Sequence, residues 1–208
     1  MMTDEPSLKA AYALQGNADV KDIYENWADT YDTGFAADQG YQLPKEVATA
    51  YAENGGSGPV LDVGAGTGLV AAELRARGID PIDAVDLSPE MLAVAEAKGL
   101  YRSVIEADIT RPLPGTPHYA GIVSAGTFTL GHVGPEGIRT LLDGAAPGTL
   151  FVISVNAQHF ESAGFAAFLD EVAEQITDLR LKDVRIYDER ADEAHQKDIA
   201  RLLIFRSR

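Results

Sequence analysis

The sequence predicts a single α/β domain on a mostly parallel sheet of seven strands, with helices on both faces and an N-terminal helical cap. Three observations carry that prediction. Val60-Leu61-Asp62-Val63-Gly64-Ala65-Gly66-Thr67-Gly68-Leu69-Val70-Ala71-Ala72-Glu73-Leu74 reads as an apolar strand, a glycine-rich turn and the first turns of an amphipathic helix, the opening of a nucleotide-binding α/β domain. Strand-length apolar runs then alternate with helical segments, which implies right-handed crossovers in a parallel sheet. The last two apolar runs have no helix between them, so they most simply pair as an antiparallel hairpin at the sheet edge.

The elements follow in order. Residues 3–18 carry little periodicity. In residues 19–32, Ile23, Trp27 and Tyr31 recur at i, i+4 and i+8, with Val20, Tyr24 and Ala28 beside them, which is a helical face. Gly34 and Gly40 punctuate the loop that follows. Pro44 suits the first turn of the next helix, which Asn54-Gly55-Gly56-Ser57-Gly58 ends. Pro59 stands at the entrance of the first strand, where its missing N–H does least harm.

Strand 60–63 leads to a helix over about 68–77, stopped by Gly78. Strand 82–86 leads to Ser88-Pro89-Glu90, an N-cap and first-turn signature, and a helix to about 98, stopped by Gly99. A strand over 101–106 precedes a proline-broken segment, 110–117. Strand 120–125 leads through residues 126–134 to a helix over 136–144, and strand 149–155 to a helix over 163–177. Strands 183–187 and 199–205 close the chain, with the charged run 189–193 as a solvated hairpin loop. Residues 1–57 are thus expected to form the arm and cap, and 58–208 the ligand-binding core.

Composition narrows the function. A chain of 208 residues suffices for one sizeable core. The net charge of -15 repels phosphate backbones and anionic lipid, which disfavours nucleic acid and membrane as partners. Zero cysteines remove disulfides, thiolate nucleophiles and zinc–thiolate sites, and no metal site is expected. No apolar run approaches the roughly 20 residues of a membrane span. Met1-Met2-Thr3-Asp4-Glu5-Pro6 has no signal-peptide character, so a cytoplasmic protein is the expectation.

The glycines then point to a ligand. A dinucleotide fingerprint needs glycine where Leu69 stands. Here Asp62 instead precedes three alternating glycines, Gly64, Gly66 and Gly68. A carboxylate beside the loop is unwelcome to a pyrophosphate but suits a ligand carrying an ammonium and a sulfonium. Asp86 ends the second strand, 22 residues after Gly64, where a carboxylate can accept both hydroxyls of a ribose. Leu87 offers an apolar wall for an adenine ring. Asp108, at the end of the third strand, can accept from the adenine amino group while Ile109 packs the ring.

The run VLDVGAGTG, the AVDLS after the next strand, the EADI after the third and the SAGTF after the fourth resemble the motif series of class I S-adenosylmethionine-dependent methyltransferases. The resemblance covers about residue 23 to the C-terminus. It implies a Rossmann-like seven-stranded sheet with the last strand antiparallel. It also implies methionyl contacts from Asp62 through Gly64, Ala65, Gly66, Thr67 and Gly68, and ribose contacts at Asp86. Adenine contacts fall at Leu87, Met91, Asp108 and Ile109, and the amine near Ser124, Ala125 and Gly126. The cap Tyr24-x-x-Trp27-Ala28-x-x-Tyr31-Asp32, with Gly40-Tyr41-x-x-Pro44 and Gly131-His132-Val133, is similar to the Williams–Beuren syndrome region methyltransferase-like group. S-adenosylmethionine is the cofactor so implied, with S-adenosylhomocysteine as its product.

Methyl transfer from a sulfonium is an in-line displacement, for which alignment supplies much of the catalysis and a base only sometimes. His132, following the fourth strand and titrating near neutrality when unperturbed, is the candidate base, although loop histidines also serve as packing residues. Tyr41, Phe128, His132 and His159 are candidate substrate contacts. Tyr24, Trp27 and Tyr31 either lid the cofactor or simply pack the cap onto the domain. His118 and His195 read as exposed loop residues. The sequence thus points to methyl transfer onto a small molecule. Ser124-Ala125-Gly126-Thr127-Phe128 stands where many amino-group methylators of DNA and protein carry Asn-Pro-Pro-Tyr. A methyltransferase acting on a protein, a cofactor-binding protein without catalysis and a nicotinamide-dependent oxidoreductase remain as alternatives.

Overall fold

The computed structural model describes residues 31–113 and 119–208. Its seven strands are β1 (Val60–Val63), β2 (Ile82–Asp86), β3 (Ser103–Glu106), β4 (Gly121–Phe128), β5 (Leu150–Asn156), β6 (Ile176–Arg185) and β7 (Ile199–Ser207). They form one sheet in the order β3-β2-β1-β4-β5-β7-β6. The pairs among β1–β5 are all parallel, and β7 runs antiparallel to both β5 and β6. The helices are α1 (Leu43–Glu53), α2 (Leu69–Ala76), α3 (Pro89–Ala97), α4 (Pro135–Asp143), α5 (Ala157–Ser162) and α6 (Phe165–Glu171), with a π-helical turn at Asp32–Ala36.

The central strands are buried on both faces, and alternation assigns each residue to one of two cores. Val60, Val123, Leu150, Val152, Leu202 and Ile204 pack towards α1 and α2 around Tyr51 and Leu74. Their strand neighbours Leu61, Ile122, Phe151, Ile153, Leu203 and Phe205 pack towards α4 and α6 around Ile138, Phe165 and Phe168. Phe151 stacks on Phe205 across the β5–β7 pair, ring centroids 4.7 Å apart. The expected stops hold, with Gly78 and Gly99 at φ 74° and 64°, the left-handed conformation that ends a helix. Ser88 caps α3 by accepting from the Met91 N–H at 3.2 Å.

Three elements differ from expectation. The helix expected over 163–177 is only α6, which begins after the left-handed Gly164 (φ 80°); a separate short helix, α5, precedes it, and Ile176 already belongs to β6. The run Phe165, Phe168, Leu169, Val172 and Ile176 mimics one long helical face, but Ile176 pairs with Ser207 in the sheet. The sixth strand accordingly lies earlier than 183–187. Alternation is hard to read there because β6 is an edge strand, charged at Arg180, Lys182, Asp183 and Arg185 and bulged near Asp178, both features that blunt an edge. The fourth strand extends to Phe128, past the expected end at 125, carrying the SAGTF run into the sheet.

The segment before α1 is sewn to the β6–β7 loop. The Gln42 N–H donates to the Ile186 carbonyl (2.8 Å) and the Asp188 N–H to the Gly40 carbonyl (3.0 Å), with Tyr41 bridging Tyr187. Arg190 donates to both Asp188 and the Ala37 carbonyl. Elements far apart in sequence thereby form one wall of the cleft described next. Tyr24, Trp27 and His118 lie outside the described residues. His195 is half-buried against Asp198 (2.8 Å), not exposed.

Candidate active site

A cavity opens at the carboxyl ends of β1–β5, around the β1/β4 boundary where the strand order reverses and α/β sheets place their ligands. The loop after β1 forms its floor. The Gly64 and Ala65 N–H groups both donate to the Val85 carbonyl, at 2.8 and 3.1 Å, folding the loop back over β2. Gly64 sits at φ 63°, and a Cβ there would lie 1.9 Å from Thr127 Oγ1; β4 approaches too closely for any side chain. Gly66, at φ 53°, is different, because a Cβ there would meet nothing within 4 Å. Its backbone is bare towards the cavity, a cradle for a ligand's close approach.

Asp86 stands beside that cradle. One carboxylate oxygen accepts from the Gly66 N–H at 2.7 Å and the other from the Ser88 N–H at 2.9 Å. Burial raises its pKa, and those N–H donors offset part of the rise. Leu87, Met91 and Ile109 add apolar wall, and Asp108 closes that end. Asp108 also serves its own turn, accepting from the Thr110 N–H (2.9 Å) and hydroxyl (2.7 Å), which hold its carboxyl below the usual range. Both the turn role and the cavity position therefore hold for it. Tyr31, Ala65, Thr67, Ala125, Gly126, Tyr41, Phe128 and His132 line the cavity too.

Four expected contacts do not line it. Asp62 is fully buried in mid-sheet, paired in register with both β2 and β4. Its carboxylate accepts from the Tyr101 hydroxyl at 2.7 Å, beneath the glycine loop. Burial pushes it up to about 7 despite that hydrogen bond, with Asp86 adding repulsion. Gly68 is the left-handed N-cap of α2, with Tyr101 packed against it. Ser124 is buried and donates to the Val63 carbonyl (2.8 Å), fastening β4 to β1. His159 donates to the Val133 carbonyl (2.9 Å) and packs edge-on to Phe165, behind the wall.

His132 reaches the cavity but does not titrate near neutrality. Burial lowers its imidazole to about 4, with nearby His159 opposing a second positive charge. It is a neutral acceptor at physiological pH, whereas the sequence alone suggested a group poised near 7.

Sequence reasoning missed a node that holds the floor in place. The Thr67 hydroxyl donates to Asp32 Oδ1 at 2.5 Å, and Lys98, at the end of α3, bridges Asp32 and the Thr67 carbonyl. The residues are 31 to 66 positions apart, so no local pattern marks them. With both ends of the ion pair about 30% exposed, Lys98→Met should weaken ligand binding to the loop by only about 1 kcal/mol, roughly fivefold. Lys98→Arg should restore most of it, and equal calorimetric affinities for all three proteins would remove Lys98 from this role. Ser154 and Asn156, at the carboxyl end of β5, and Ile186 and Tyr187, brought over by the β5–β7–β6 pairing, were missed as well.

The cavity's charge pattern tests what it could hold. Asp86 and Asp108 line it, and among the described residues no lysine or arginine does. A pyrophosphate would meet two carboxylates and no cation. A ligand with a ribose, an adenine and a positively charged sulfur fits this donor set. Among the described residues no group of three His, Cys, Asp or Glu could hold a metal ion, and no helix is long and apolar enough to cross a membrane.

The sheet order and strand directions are those of the Rossmann-like fold that S-adenosylmethionine-dependent methyltransferases share. Residues 60–148 match the family described as a methyltransferase domain. Human methyltransferase-like protein 27 is 37% identical over 112 residues, covering 51% of this chain and 45% of that protein; the matched segment thus spans less than half of the relative's length. A TehB-like SAM-dependent methyltransferase from Corynebacterium glutamicum superposes with a TM-score of 0.62 at 22% identity, covering 89% of this chain and 98% of that one. Magnesium protoporphyrin IX methyltransferase from Synechocystis, with bound SAM, gives 0.62 at 15% identity, covering 90% and 94%. The N-methyltransferase NodS from Bradyrhizobium japonicum gives 0.59 at 18% identity, covering 78% and 93%.

Proposed function

We propose that this protein transfers a methyl group from S-adenosylmethionine to a small-molecule acceptor. The observation that carries the reading is the pairing of the bare Gly66 cradle with the Asp86 carboxylate, in a cavity with no lining cation among the described residues. The relative with bound SAM has the same fold and supports the same cofactor here. Asp86 would accept from the ribose hydroxyls, Leu87, Met91 and Ile109 would enclose the adenine, and Asp108 would face its amino group. Gly66 and Thr67 would run along the methionyl chain towards Gly126. When bound, the cofactor supplies an activated methyl carbon on a positively charged sulfur.

The protein's share is alignment and exclusion of water. The acceptor's nucleophilic atom forms a bond to the methyl carbon as the sulfur–carbon bond breaks, both electrons going to sulfur, and the acceptor's proton leaves. His132, which lines the cavity, would take that proton. With its pKa near 4, it is unprotonated throughout the neutral range, so the pH–rate profile should show no histidine inflection between about pH 6 and 7. An inflection there that His132→Gln abolishes would contradict this placement.

Titration calorimetry tests the cofactor directly. The expected outcome is saturable, micromolar-range binding of S-adenosylhomocysteine with no response to NAD. Binding of NAD without S-adenosylhomocysteine would overturn the reading.

A further inference from the structure

The cavity is electrically divided. Both of its lining carboxylates, Asp86 and Asp108, belong to the β2 and β3 strand ends. The other half is built from the β4 and β5 ends, the segment before α1 and the β6–β7 loop. Among the described residues, none that lines that half is Asp, Glu, Lys or Arg. Its polar groups include Thr127, Thr129, Ser154, Asn156 and His132, with the hydroxyls of Tyr41 and Tyr187.

None of these groups is a carboxylate, ammonium or guanidinium. Burial keeps the His132 imidazole uncharged. A charged acceptor bound there would lose its hydration and gain no opposite charge, at a cost of several kcal/mol. Hydroxyl, amide and neutral imidazole groups both donate and accept, or offer both capacities side by side, which matches an acceptor that is itself a donor and an acceptor. The remaining surface is aromatic. Tyr41 and Tyr187 lie 5.9 Å apart with planes tilted by 40°. The Tyr41 hydroxyl sits so close to Gly126 that a Cβ there would be 2.5 Å from it. Phe128, fully buried, is also among the lining residues. Such walls favour a flat ring over a flexible chain.

Resting on the methyl-transfer reading, we infer that the acceptor is an uncharged aromatic molecule methylated on a hydroxyl oxygen. The oxygen–carbon bond forms while the carbon–sulfur bond breaks with its electron pair on sulfur. As the oxygen gains positive character, its proton becomes far more acidic than an imidazolium, so even a weakly basic His132 accepts it and passes it to solvent.

Three phenols of one skeleton test the charge rule, namely 4-methylphenol (neutral), 4-hydroxybenzoate (anionic) and tyramine (cationic). Each is titrated into the full chain after saturation with S-adenosylhomocysteine has been measured. The expected result is that 4-methylphenol binds at least roughly tenfold tighter than either charged analogue. Equal or tighter binding of the carboxylate or the ammonium compound overturns the inference, and so does failure of 4-methylphenol to bind. If S-adenosylhomocysteine itself does not bind, the methyl-transfer reading fails. The same three titrations on the ligand-free protein then decide the charge preference of this half of the cavity alone.

Discussion

Asp86→Ala is expected to reduce affinity for S-adenosylhomocysteine by roughly 10- to 100-fold. On the proposed reading the substitution removes ribose hydroxyl-to-carboxylate hydrogen bonds, and the 10- to 100-fold range is the loss of about one hydrogen bond to a charged group, about 1.5–3 kcal/mol, with water taking up the second. The same substitution removes the acceptor for the Gly66 and Ser88 N–H groups, so the floor loosens as the ribose contact disappears. Asp86→Asn keeps the shape and one acceptor oxygen, and should fall between wild type and alanine. Calorimetry of the three proteins, with thermal melts confirming that each is folded, checks the order. Wild-type affinity in the alanine variant would refute the ribose role.

Asp62→Asn should change stability with pH in a way that the wild type does not share. In the folded protein the Asp62 carboxyl titrates at about 7, against a reference of 3.8, because burial disfavours its ionised form. The folded state therefore holds a proton that the unfolded state has released, and stability falls as pH rises between those values. The contribution is fully present below 3.8 and lost by the time pH passes 7. Two pH units within that window correspond to about 3 kcal/mol. Asparagine can accept the same Tyr101 hydrogen bond and has nothing to ionise. Denaturant unfolding of both proteins should show the variant gaining about 3 kcal/mol on the wild type between pH 5 and pH 8. Parallel profiles would mean that Asp62 ionises freely where it sits.

Asp62 also shows where motif reading stops. The pattern Asp62-x-Gly64-x-Gly66-x-Gly68 locates the glycine turn, and the turn is there. It does not say which way the acid faces. Strand alternation and pairing with β2 and β4 on either side put that carboxylate under the loop, against Tyr101, a residue 39 positions away. Asp86 is the opposite case. A carboxylate at the last residue of a parallel strand stands at the carboxyl edge of the sheet, where α/β folds open their clefts, so its place follows from strand length, and the structure puts it there. His132 lies between the two. Its position after β4 was legible, but its protonation state was not, since that depends on burial and on His159.

Local sequence encodes the succession of elements through the parallel half of the sheet, the glycine floor and the strand-end residues that face it. Those features are encoded locally, by period-two burial, helix caps and left-handed glycines at fixed offsets. Only the tertiary structure decided the rest. It inserted β7 between β5 and β6, sewed the Tyr41 segment to the β6–β7 loop, and joined Asp32, Thr67 and Lys98 beneath the cleft. The physical reason is the same in each case. These contacts join residues tens to more than a hundred positions apart, and their energies depend on burial and approach that no local pattern of residues encodes.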